Sequence, residues 1–132
     1  MDIMLGTPLY MAPELAEGKE YDCRVDVWSV GIICHILLCG EAPFTGANNS
    51  EIRNAILNNE LDMCGTKWTK VSKEARSFIR KCLVKKAIDR PFVNDLFQDP
   101  FIKHWVDNPV IKAETELSVA ENICSFRKDT IL

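Results

Sequence analysis

Gly6-Thr7-Pro8-Leu9-Tyr10-Met11-Ala12-Pro13-Glu14, with Asp26-Val27-Trp28-Ser29-Val30-Gly31 close behind it, is the stretch on which the reading of this chain turns. Pro13 sits where proline is tolerated, in the first turn of a short helix that closes near Gly18. From about Asp22 to Cys39 the chain reads as a helix that is apolar nearly all round: Val25, Val27, Trp28, Val30, Ile32, Ile33, Ile36, Leu37 and Leu38. A helix without a polar face must be buried on every side, so this one is expected at the centre of the fold. Gly40 ends it at a C′ position, and Ala42-Pro43-Phe44 turns the chain out.

Downstream, Asn49 or Ser50 caps a helix through about Asn58, with Ile52, Ala55 and Ile56 as its apolar stripe. A loop carrying Gly65, Trp68 and Thr69 leads to Ser72, which caps a helix through Leu83. Ala75, Phe78, Ile79, Cys82 and Leu83 form its buried face. Pro91 opens another short helix, which Asp99-Pro100 stops. Asp107-Asn108-Pro109 is a break, and residues 115–131 read as an amphipathic helix with Leu117, Ala120, Ile123, Cys124 and Phe126 towards one side. No run alternates convincingly with a period of two, so the expected fold class is all-α, without repeats or low-complexity stretches.

The chain's 132 residues, 47% of them hydrophobic, suit one domain or part of one. A net charge of −3 gives no reason to expect a nucleic-acid or anionic-membrane partner. The longest apolar run, Val30 to Cys39, is interrupted by His35 and is too short to span a bilayer. Met1-Asp2-Ile3-Met4 has neither the basic nor the apolar region of a secretory signal, so a cytoplasmic location is expected. The six cysteines (23, 34, 39, 64, 82 and 124) form no Cys-x-x-Cys pair, and His35 and His104 do not fall at zinc-ligand spacing from them. All are expected as reduced thiols, and no local feature activates one as a nucleophile. No metal site is expected.

The string at 6–14, the Asp-x-Trp-Ser-x-Gly string at Asp26 and Asp89-Arg90-Pro91 resemble the second half of a protein kinase domain, over roughly residues 5–105. Ala-Pro-Glu alone recurs by chance; the longer string at this distance from the next is specific. The resemblance implies the helical C-terminal half of the kinase large lobe, a partial domain over 1–105 running from the end of the activation segment to the last lobe helix. A C-terminal tail follows at 106–132. The Glu51-Ile52 helix and Lys67-Trp68-x-x-Val71-Ser72 look most like calcium-dependent and calmodulin-dependent protein kinases. In the former, an autoinhibitory junction helix leads into EF-hands, and residues 117–132 are similar to its start. The partners implied are protein substrates, and a calcium-sensing EF-hand region or calmodulin through residues 115–132. The chain itself contains no Asp-x-[Asp/Asn]-x-[Asp/Asn]-Gly calcium loop.

No Gly-x-Gly-x-x-Gly loop, Ala-x-Lys, His-Arg-Asp-x-x-x-x-Asn or Asp-Phe-Gly occurs in the sequence. Phosphoryl transfer depends on positioning and charge stabilisation by those groups and Mg2+. The whole enzyme would therefore transfer the ATP γ-phosphate to protein Ser/Thr hydroxyls with Mg2+, whereas this chain holds no catalytic, ATP-binding or metal residue and is expected to be inactive alone. Met1 abutting the activation segment suggests a gene-prediction start, a splice variant or an expression boundary. The alternative is a non-catalytic truncated kinase module that binds substrates or partners around Pro8 and Met11. An unrelated helical interaction domain is a third, remote reading. Asp-Phe-Gly encoded upstream of Met1 would separate the first two.

The resemblance assigns roles residue by residue. Thr7 would bond the catalytic aspartate and a lysine and align the acceptor hydroxyl, which favours Ser/Thr substrates; otherwise it is a turn threonine. Pro8, Met11 and Met4 match the pocket for the residue after the phosphosite, although methionine also fills cores. Asp26 would receive amides of the catalytic loop; the plainer alternative is an aspartate favoured by the helix dipole. Glu14 and Arg90 should pair, since the planar guanidinium meets a carboxylate with two bonds. Arg80, Lys81, Lys85 and Lys86 read as a solvated surface, and His35 as a packed or hydrogen-bonded histidine. Ile36 stands where kinases reading a basic residue two positions before the phosphosite carry Glu, so that preference is not expected. Asp99-Pro100-Phe101 replaces the usual His-Pro-Trp. Finally, Trp28, Ile32, Ile36 and their neighbours should outnumber the elements available to cover them, leaving an exposed apolar patch.

Overall fold

The computed structural model describes residues 8–107, and of residues 8 and 105–107 the backbone alone. Among the described residues the fold is helical and contains no strand: α1 (Pro13–Ala16), α2 (Arg24–Cys39), α3 (Asn49–Asn58), α4 (Lys73–Cys82), α5 (Val93–Leu96) and α6 (Pro100–Asp107), with 3-10 turns at Pro8–Tyr10, Thr66–Trp68 and Ala87–Asp89.

Local chemistry sets the ends. The Asp22 carboxylate accepts from the Arg24 amide at 2.8 Å, so α2 begins at Arg24 rather than Asp22. Gly40 closes it at φ +86°, a conformation that glycine adopts without strain. The cap of α3 is Asn48, not Asn49 or Ser50: its backbone is extended and its side chain accepts from Glu51 N at 2.9 Å. Ser72 caps α4 through Ala75 N at 3.1 Å. Helix α5 ends at Leu96, ahead of Asp99-Pro100, but a further helix, not expected from the sequence, follows at once. Asp99 accepts from the Phe101 amide at 2.9 Å, and Pro100, needing no donor bond at a first position, opens α6.

Helix α2 is the pillar of the core, and α4 lies close against it at Gly31. A Cβ there would stand 2.6 Å from Cys82 Cβ and 2.8 Å from Leu83 Cδ2. Trp28, Ile32 and Ile36 face α3, α4 and the intervening segment, among Phe44, Ile52, Ile56 and Ile79. A second cluster joins Val27 to Phe78, Cys82 and Leu96. The expectation that Trp28, Ile32 and Ile36 lack cover is thus corrected: they are 0%, 0% and 5% exposed. The helix is nevertheless not buried on every side. Asp26, Val30, Ile33 and Leu37 follow one another at three- and four-residue steps along a different face. Ile33 on that face is 47% exposed, while Val30 and Leu37 are half-buried.

Candidate functional site

Helix α1 places Glu14 in its first turn, and the 3-10 turn at Ala87–Asp89 delivers Arg90 opposite it. The two residues stand far apart in sequence yet meet with two parallel bonds. Arg90 Nη1 donates to Glu14 Oε2 at 2.8 Å and Nη2 to Oε1 at 3.0 Å. The remaining donors are also used: Nε to Val84 O at 2.9 Å, Nη1 to Arg24 O at 3.0 Å and Nη2 to Lys85 O at 3.3 Å. The guanidinium carbon stands 5.2 Å from the Trp28 ring centroid. Arg90 is 2% exposed and Glu14 8%. Taking two charges out of water is costly, and full satisfaction of the fork is what makes such burial tolerable. This clamp ties the Ala12-Pro13-Glu14 segment, the start of α2 and the turn after α4 into one unit.

Ser29 of α2 donates to Val25 O at 3.2 Å, and Tyr10 O of the Pro8–Tyr10 turn lies 3.5 Å from the same hydroxyl. Met11 is half-buried and packs on the main core. Asp26 is exposed in the first turn of α2, so no carboxylate is stranded in the interior there. Thr7 and Met4 lie outside the described residues, as does the tail helix read at 115–131. Glu14 and Arg90 are therefore brought together, Met11 and Asp26 are placed but not joined to them, and Pro8 is located by its backbone.

Three features were not read from the sequence. Lys85 is not simply solvated: its Nζ donates to Ile56 O at 2.5 Å and stands 4.7 Å from the Phe44 ring centroid, and burial holds its pKa below the ordinary lysine value. Lys81 donates to the buried Asp99 at 2.6 Å. Arg24 chelates Asp22, donates to Ile88 O at 3.3 Å and lies 4.6 Å over Phe92. The partner of Lys81 is Asp99, just ahead of α6, and that of Lys85 is Ile56 in α3, so local sequence carries no sign of them.

His35 is packed and bonded. Its Nδ1 lies 2.6 Å from Glu41 O, and a carbonyl only accepts, so Nδ1 carries the proton. The ring meets Trp68 edge-on at 4.8 Å. Burial pulls its pKa below 6.5, partly offset by the bond to Glu41. Burial also raises the Cys34 thiol to about 11 and Cys82 to about 12, which leaves them protonated and unreactive.

Nowhere among the described residues do three or more His, Cys, Asp or Glu converge to hold a metal ion. The phosphate-holding motifs named above are absent from the sequence. No described helix is long and apolar enough to cross a membrane.

Residues 1–102 match a family model described as "Protein kinase domain". The chain is 38% identical over 126 residues to calcium-dependent protein kinase 5 of Plasmodium falciparum, covering 95% of this chain and 22% of that protein. It is 38% identical over 112 residues to calcium-dependent protein kinase 25 of Arabidopsis thaliana, covering 85% and 21% respectively. Myosin light chain kinase A of Dictyostelium discoideum is 39% identical over 111 residues, covering 84% of this chain and 38% of that protein. These matches span between about a fifth and two fifths of the relatives' length. Among solved structures, the twitchin kinase region from C. elegans aligns with a TM-score of 0.69 at 31% identity, over 73% of this chain and 18% of that one.

Proposed function

The chain belongs to the protein kinase domain family, and on that premise we propose that it supplies the substrate-side part of a serine/threonine kinase of the calcium- or calmodulin-dependent group. The observation that supports this most directly is the buried Glu14–Arg90 clamp, which anchors the segment running into Ala12-Pro13-Glu14 to the helical body. In this reading Thr7 aligns the acceptor hydroxyl, and Pro8, Met11 and Met4 select an apolar residue after the phosphosite. Asp26, exposed here, receives amides of a catalytic loop that this chain does not carry. Calcium control acts through residues 115–132, by an EF-hand region or calmodulin, and the protein works in the cytoplasm. In the whole enzyme ATP supplies the transferred phosphoryl group and Mg2+ neutralises its charge; the residues here hold and orient the protein substrate.

A second reading, a non-catalytic module that binds substrates or partners, draws support from the closure of Trp28, Ile32 and Ile36 within the described core. One experiment separates the two. The longest reading frame containing this chain is expressed and assayed for Mg-ATP-dependent phosphorylation of peptides. The kinase reading expects Ser/Thr phosphorylation that falls by at least about tenfold in Thr7→Ala, with none from the 132-residue chain alone. Turnover by the short chain, or transfer confined to tyrosine, would refute it.

A further inference from the structure

Between the end of α2, the turn after it and the loop leading to Trp68 lies a cavity of about 310 Å³. His35, Glu41, Asp62, Cys64, Lys67 and Trp68 are among the residues lining it. Its lining sets the acceptors His35, Glu41 and Asp62 beside the hydroxyls of Thr45 and Thr66 and the Lys67 ammonium. His35, only 3% exposed, commits Nδ1–H to the Glu41 carbonyl, so its Nε2 presents a lone pair, and that atom is buried without a partner among the described residues. Asp62 uses one oxygen to accept from Cys64 N at 2.9 Å, and the Glu41 carboxylate binds Lys67 at the exposed rim. A buried acceptor with no donor is unfavourable, and two neighbouring carboxylates repel an anion.

We propose that this cavity takes the cationic side chain of a protein partner, a guanidinium or ammonium that donates to His35 Nε2 and sits between the Glu41 and Asp62 carboxylates. The indole of Trp68, 4% exposed, borders the same space and favours a cation. A divalent metal fits poorly, because no described cluster offers three ligands. Burial keeps His35 neutral and therefore an acceptor near neutral pH.

The test titrates the 132-residue chain with N-acetyl-arginine methylamide and N-acetyl-lysine methylamide while following the His35 ring nitrogens by NMR. Saturable binding that moves Nε2 is expected. Glu41→Gln and Asp62→Asn, both at exposed positions, should each weaken it about two- to fivefold. Lys67→Met, which releases the Glu41 carboxylate, should strengthen it. Asp62→Asn keeps an oxygen for the Cys64 amide, so a loss there reads charge rather than folding. A silent titration would mean that buried water alone satisfies Nε2, and it overturns the proposal. So does binding indifferent to both carboxylate variants, or a saturable response to Mg2+ in place of the arginine and lysine probes. The readout needs no phosphotransfer, so it stands or falls apart from the kinase reading.

Discussion

Arg90 donates five hydrogen bonds, to Glu14 and to three backbone carbonyls, from a site 2% exposed. Arg90→Ala strands the Glu14 carboxylate and should cost about 3–5 kcal/mol in urea unfolding, against under about 0.5 for the exposed Lys86→Ala. Arg90→Lys should recover little, since an ammonium has three donors and no planar fork. An unchanged unfolding midpoint in Arg90→Ala would mean that the pair is not closed in solution. His35 gives a pH signature. Its folded pKa lies below 6.5 because burial disfavours the cation, so the unfolded chain binds more protons as pH falls through that value. Stability should therefore be full above pH 6.5 and decline below it, with the decline smaller in His35→Gln. Calorimetry of both proteins across that window checks this, and identical pH profiles would count against it. Glu14 and Arg90 could be found from sequence because each sits inside a recognisable string. The acceptors of Lys85 and the cavity around His35 could not, because residues 35, 41, 62 and 68 come together only when the helices pack.

Gly31 shows how helix-to-helix distance is written into one position. Alanine is ordinarily worth up to about 1 kcal/mol over glycine inside a helix. Here its Cβ would meet Cys82 Cβ at 2.6 Å, so Gly31→Ala should instead destabilise by about 1–3 kcal/mol by forcing α2 and α4 apart. Chemical denaturation decides the sign, and a stabilised variant would show that the pair can separate freely. Asn48→Ala should cost about 0.5–2 kcal/mol through the lost cap on α3, whereas Ser50→Ala, which caps nothing, should cost little. Helices α2, α3 and α4 were recognisable in the sequence to within a residue or two, because apolar period and caps are local signals. Helix α6 was missed because proline both ends one helix and begins another. Which it does here depends on Asp99, whose one carboxylate oxygen holds the Phe101 amide while the other holds Lys81.

For the molecule as a whole, the strip of α2 where exposed Ile33 lies between half-buried Val30 and Leu37 is the feature with a physical cost. The purified chain should bind hydrophobic dyes or self-associate, and Ile33→Glu should reduce both in light scattering and dye fluorescence. A monodisperse parent without dye binding would show that this strip is covered in solution and would favour the stand-alone module. The clamp also has a kinetic meaning. Its partners are 76 residues apart, so the chain must close a long loop before either bond rewards the entropy spent. Contacts of that span are expected to form late, after the nearer helices have met. Arg90→Ala should therefore leave the folding limb of a chevron nearly unmoved and accelerate unfolding, making Glu14–Arg90 a catch that governs how long the fold survives rather than how fast it is found.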